Sequence, residues 1–227
     1  MMKKTFFGFI ICVTLCMFMF FNNTLLADVE VGIKGGIGSF NITTPNYIYY
    51  ITVGPPDVES IISFQAGVFC SIDISKNFAL QPEIYYVMRG TRASKTIEHT
   101  PRDYKATLKI DYIEIPILLT YKMPLGNSIT PILLVGPYIG FNLSAHNFGE
   151  FLFQDVIEMD YRSVISTQYL GLILGGGLEF NLKSMKLILE GRFSYGLSSI
   201  NVLEERIYES KGFPTNKSFV LMLGIGI

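Results

Sequence analysis

From residue 28 onward, apolar and polar side chains alternate in runs separated by turn-forming residues. In 61–74, Ile62, Phe64, Ala66, Val68, Cys70, Ile72 and Ile74 share one parity, and Ser63, Gln65, Gly67, Phe69, Ser71 and Asp73 share the other. Successive side chains of a strand point to opposite faces of its sheet, so this run predicts a strand with one greasy and one polar face. The segment 165–182 repeats the division, with Leu170, Leu172, Leu174, Leu178 and Phe180 set against Gly171, Gly175, Gly177, Glu179 and Asn181. So does 185–200, where Leu187, Leu189, Phe193, Tyr195 and Leu197 oppose Lys186, Glu190, Arg192, Ser194 and Ser198. Extended to the whole chain, the pattern predicts eight strands, at 29–40, 61–74, 78–92, 104–123, 128–145, 165–182, 185–200 and 218–227.

The connections between these strands alternate in length. Long ones contain 43–60, 93–103, 146–162 and 201–217; the short ones are 75–77, 124–127 and 183–184, each rich in turn residues. This asymmetry predicts an all-β, eight-stranded, antiparallel up-and-down transmembrane barrel, with short periplasmic turns, four long extracellular loops and both termini in the periplasm. No window of about 18 apolar residues follows Ala27, which excludes an α-helical membrane protein for the remainder. A soluble lipocalin-like barrel is the nearest rival, but it wants an apolar interior and usually an N-terminal Trp, and this chain has no Trp.

The first residues read differently. Lys3 and Lys4 precede an apolar run from Phe6 to Phe21, then Asn22, Asn23 and a small residue at Ala27. That layout predicts a cleaved secretory signal over 1–27 and a barrel domain over 28–227, with a retained membrane helix as the alternative. Neither Cys12 nor Cys16 lies in a lipoprotein motif, and removal of the signal leaves Cys70 alone, so no intrachain disulfide is expected. The predicted location is the cell outer membrane of a Gram-negative bacterium.

Composition sharpens this picture in two places. Charged residues make up 16% of the chain, below the usual quarter, and the net charge of −1 gives no reason to expect a nucleic-acid partner. Those charges also concentrate on the polar parity, beside the glycines that a tightly curved wall requires. Lys34, Glu83, Arg89, Glu114, Lys122, Glu179, Glu190 and Arg192 form a mixed-sign set able to neutralise itself. Because an unpaired buried charge costs on the order of 3 to 5 kcal/mol, the expectation is an ion-paired, closed lumen; a solvated sheet face is the alternative. Phe40, Tyr104, Tyr121, Tyr138, Phe180, Tyr195 and Phe219 lie near strand ends, where aromatic girdles form, although in a soluble fold they would be core.

Four stretches carry a resemblance: 31–36 (VGIKGG), 111–122 (DYIEIPILLTYK), 136–143 (GPYIGFNL) and 175–180 (GGGLEF). Together they resemble the outer-membrane β-barrel domain often labelled "porin family", abundant in the Bacteroidetes group. The second stretch is the most specific, and the likeness covers essentially all of 28–227. It implies an eight-stranded barrel without an assigned activity. Within that stretch, Pro116 removes a ladder donor and suggests a bulge. The even-numbered Leu108 and Ile110, followed by odd-numbered apolar residues from Ile113 to Tyr121, suggest a register change near Asp111. Barrels of this kind commonly end on an aromatic, whereas this chain ends at Ile227, which weakens the expected recognition by the barrel-assembly machinery.

Chemistry is sparse. The only histidines, His99 beside Glu98 and His146 two residues after Ser144, fall in expected loops. A lipid-modifying hydrolase is thus a distant reading and a non-enzyme the main one. No metal site, phosphate loop or cofactor is expected, since Gly175 to Gly177 lack a following Lys or Ser/Thr. The expected partners are outer-membrane lipid, the assembly machinery, and an extracellular or envelope protein contacted through 43–60, 93–103, 146–162 or 201–217. Within those loops Ile48 to Val53 and Glu150 to Phe153 are apolar enough to be contact surfaces. Two roles remain open: a structural or surface-interaction barrel, and a narrow pore or solute-binding barrel.

Overall fold

Residues 28–42, 57–95, 104–126, 128–151, 154–160, 167–198 and 216–227 are described by a computed structural model. The expected export signal over 1–27 and the pair Glu98 and His99 lie outside the described residues. Among the described residues ten strands follow in order: β1 (Val29–Ile42), β2 (Asp57–Ser60), β3 (Ile62–Asp73), β4 (Phe78–Lys95), β5 (Tyr104–Lys122), β6 (Ile129–Phe151), β7 (Gln154–Asp160), β8 (Gln168–Asn181), β9 (Lys186–Gly196) and β10 (Asn216–Gly226).

Eight of them form a closed antiparallel ring in the order β1, β3, β4, β5, β6, β8, β9, β10, closed where β10 returns to β1 through Gly32↔Gly226 to Ile42↔Asn216. Closure leaves the ring without an edge, which is how a barrel satisfies its backbone. In this ring β4 stands directly across from β9, and β3 across from β8. The short strands β2 and β7 are additions at one end, pairing with β4 and β6 respectively. They lie within 43–60 and 146–162, where the sequence suggested loops, and β6 itself continues to Phe151.

The opposite end holds the first and last described residues, Asp28 and Ile227, and the short turns. Val31 and Ile227 exchange backbone hydrogen bonds there, and Leu182 N–H donates to the Met185 carbonyl. Ser75 Oγ accepts from the Phe78 N–H at 3.1 Å, and Gly126 takes a positive φ of 78° that suits a residue without a Cβ.

Parity behaves as the alternation requires. Ile62, Val68, Leu174 and Leu197 on the outer face are 79%, 52%, 63% and 57% exposed, while Ser63, Gln65, Gln81 and Ser194 on the inner face are buried. Among the described residues one register shift interrupts the ladder of the ring, between β5 and β6 at Asp111/Tyr112, where Asp111 pairs with Ser144 and Tyr112 with Asn142; a second lies outside the ring, between β6 and β7 at Gly149/Phe151. The extra residue in the ring is therefore Leu143 on β6, and the inward parity of β6 changes from Asn142 to Ala145 across it. On β5 itself the parity is unbroken, and Ile110 is a fully buried inward residue. The bulge expected at Pro116 is absent; the register is the same at Pro116↔Tyr138 and at Leu119↔Val135. Proline deletes a donor there without adding a residue.

Candidate functional site

The interior is filled in three tiers. At mid-height four charges from three strands meet: Lys34 on β1, Glu83 on β4, and Glu190 and Arg192 on β9. Lys34 Nζ lies 2.6 Å from Glu190 Oε1 and 3.4 Å from Glu83 Oε1. The Arg192 guanidinium grips Glu83 with both ends, Nη1 to Oε2 at 2.5 Å and Nη2 to Oε1 at 2.8 Å, while its Nε donates to Glu190 Oε2 at 2.7 Å. Gln81 Nε2 donates to Glu83 Oε1 at 2.7 Å. Two cations and two anions thus cancel, and fork-to-fork geometry makes the arginine bond the strongest member. The cations are also covered by rings, with Lys34 Nζ 4.3 Å from the centroid of Phe69 and the Arg192 guanidinium 5.7 Å from that of Tyr85.

The tier nearer β2 and β7 is aromatic. Arg89 Nη1 lies 2.7 Å from Glu114 Oε1 and donates to the Tyr169 hydroxyl at 2.9 Å, and that hydroxyl donates to Glu114. Tyr112 and Tyr138 stand edge-on to Tyr169, with centroids 4.8 and 5.6 Å away. Phe40 lies beneath the Arg89 guanidinium at 4.9 Å. Glycine makes room for these rings. A Cβ at Gly140 would come far inside van der Waals contact with the ring of Tyr169, and one at Gly171 far inside contact with that of Tyr138.

The tier at the turn end pairs Lys122 with Asp73 at 2.6 Å, and places Lys186 against Glu30 and 4.0 Å from Glu179. All eight charges singled out in the sequence are buried. Six of them meet one another in two groups, whereas Lys122 and Glu179 find partners outside that set. Those partners, Asp73 and Lys186, together with Glu30 beside Lys186, carry the interior parity, which is the signal by which the sequence could have included them. Phe40 and Tyr138 are corrected: they are 0% and 2% exposed and face inward, so neither belongs to a girdle. Tyr121, Tyr195 and Phe219 do face outward.

Little space is left between the mid-height and aromatic tiers. The cavity there, lined by Gln65, Tyr85, Arg89, Glu114, Arg192 and Ser194, measures about 10 Å³. A single water needs roughly that much. On the outer face Ser144 Oγ donates to Asp111 Oδ2 at 2.7 Å, and His146 stacks on Phe148 with centroids 6.5 Å apart. Among the described residues no three histidine, cysteine or carboxylate side chains converge as metal ligands would.

The family model described as outer membrane protein beta-barrel domain matches residues 21–202. No curated protein sequence matches the chain. Among solved structures the chain is similar to Neisserial surface protein A, with 13% identity over 88% of this chain and 97% of that one and a TM-score of 0.49. It is also similar to Ail, the attachment invasion locus protein of Yersinia pestis, solved with the heparin analogue sucrose octasulfate (14% identity, 88% and 97% covered, TM-score 0.41). A third is the outer membrane protein OprG from Pseudomonas aeruginosa (13% identity, 88% and 95% covered, TM-score 0.45).

Proposed function

Since the chain belongs to the outer membrane protein beta-barrel domain family and resides in the outer membrane, we propose that it is a closed structural or surface-interaction barrel that acts through its extracellular segments. The observation that carries this reading is the filled interior, in which Arg192, Glu83, Lys34 and Glu190 block mid-height and leave about 10 Å³ between that knot and the tyrosines. An ion would have to displace paired, buried charges to pass, at a cost of several kcal/mol per broken pair, on the order of 3 to 5. Barrels of eight strands are just wide enough for side chains to fill.

Refolded protein in a planar lipid bilayer is expected to give no steady single-channel openings. Openings of uniform size would overturn the closed reading and favour the competing one, a narrow pore or solute carrier. The protein is further read as non-catalytic, because Ser144, the serine nearest a histidine in the chain, spends its hydroxyl on Asp111. On this reading residues 1–27 direct export and are then removed, the assembly machinery inserts the barrel, and a protein partner meets the segments within 43–60, 93–103, 146–162 and 201–217.

A further inference from the structure

The outer wall is not uniform around the ring. Between β3 and β4 the pairing skips Cys70/Pro82 and Ser71/Gln81, and between β4 and β5 it skips Glu83/Pro116 and Ile84/Ile115. Both interruptions include a proline, which brings no N–H to the ladder. Over this stretch the wall carries a recess of about 800 Å³, lined by Val31 and Ile33 of β1, Val68 of β3, Ile84 of β4, Ile115 of β5 and Ile225 of β10. Its size lies within the usual range of about 300 to 1,000 Å³ for small-ligand sites. Gly32 presents no side chain behind it, and the ring of Phe69 packs there from the interior. The Glu83 carboxylate at the back is already held by Arg192 and Lys34 and asks for no further cation.

We propose that this recess holds one acyl chain of a phospholipid of the inner leaflet, as a site distinct from the freely exchanging lipid around the rest of the barrel. Its position names the occupant. The recess is continuous with the lipid-facing surface, and it reaches the end of the barrel where Val31 bonds Ile227 and the short turns lie, the periplasmic end of an outer-membrane barrel. Its lining is apolar apart from the already paired Glu83 at the back, so what enters must be hydrocarbon. A flexible chain can follow a recess bounded by five strands, whereas the convex wall of a second barrel cannot enter it.

The test uses the full barrel refolded into vesicles of palmitoyl-oleoyl phosphatidylglycerol, extracted in mild detergent and weighed by native mass spectrometry. Wild type is expected to keep one phospholipid per barrel, and Ile84→Trp, which fills the recess, to lose it. Leu172→Trp on β8, exposed on the wall across the ring from β3, is expected to keep it. Heat modifiability on a gel reports folding, and Val68→Phe serves as the filling variant if Ile84→Trp does not fold. Absence of bound phospholipid from wild type, equal retention by filled and control variants, or a dimer that disappears on filling would each overturn the assignment.

Discussion

Arg192 is the residue on which most of the interior depends. Its guanidinium satisfies Glu83 through two nitrogens and Glu190 through Nε, so the change Arg192→Met leaves two buried carboxylates with Lys34 as their one cation and, for Glu83, the Gln81 amide. Removal of one partner from a buried pair costs about 3 to 5 kcal/mol, because the remaining charge keeps its desolvation cost and loses its compensation. The expected result is a loss of that size in the urea-unfolding free energy of the refolded barrel. Adding Glu83→Gln removes one charge of each sign and leaves Lys34 with Glu190, so the double variant should be more stable than the sum of the two single losses predicts. A single-variant loss below about 1 kcal/mol would mean that water reaches these groups and screens them.

Where two elements meet, the fit depends on what is missing. Gly171 on β8 pairs with Tyr138 on β6, and the tyrosine ring lies too close to leave room for a Cβ. Gly171→Ala is expected to destabilise the barrel by about 1 to 3 kcal/mol through overpacking. In a Tyr138→Leu background the same change should cost far less, which unfolding titrations of the four proteins would show. The strands themselves are legible in the sequence because the two sides of the wall demand opposite side chains, so Leu170, Leu172 and Leu174 cannot share a face with Glu179. The register shift is less legible. Ile110 looks displaced because it is apolar on the polar parity, yet near the aromatic tier apolar residues line both sides of the wall, and hydrophobicity stops distinguishing in from out. The added residue, Leu143, lies on the neighbouring strand and follows a run that reads as regular. Phe40 and Tyr138 deceive for a related reason, since rings near a strand end suit a headgroup layer and a packed interior equally well.

At the scale of the molecule, ring closure decides which charges meet. Parity puts Glu30, Asp73 and Lys186 inside, but the pairing needs the strand order: Lys122 and Asp73 lie on β5 and β3, which flank β4, and Lys186 and Glu30 lie on β9 and β1, which flank β10 only because the ring closes, a relation among distant segments that no local pattern carries. The ring also has a direction, with the start of β1, the end of β10 and the short turns at one end and β2 and β7 at the other. In a Cys70→Ser background, Ser184→Cys should react with a membrane-impermeant maleimide only after the outer membrane is permeabilised. Labelling in intact cells would invert the topology.

The bond from Arg192 to Glu83 joins strands that stand on opposite sides of the ring, and Lys34 ties a third strand to both carboxylates. Mechanically these contacts are spokes rather than rungs. A hoop held only by its rim flattens into an ellipse under sideways load, whereas a hoop with a stiff strut across its middle keeps a constant girth. The barrel should accordingly behave in the bilayer as a rigid peg, with an outline that stays round as the lateral pressure of the surrounding lipid rises and falls.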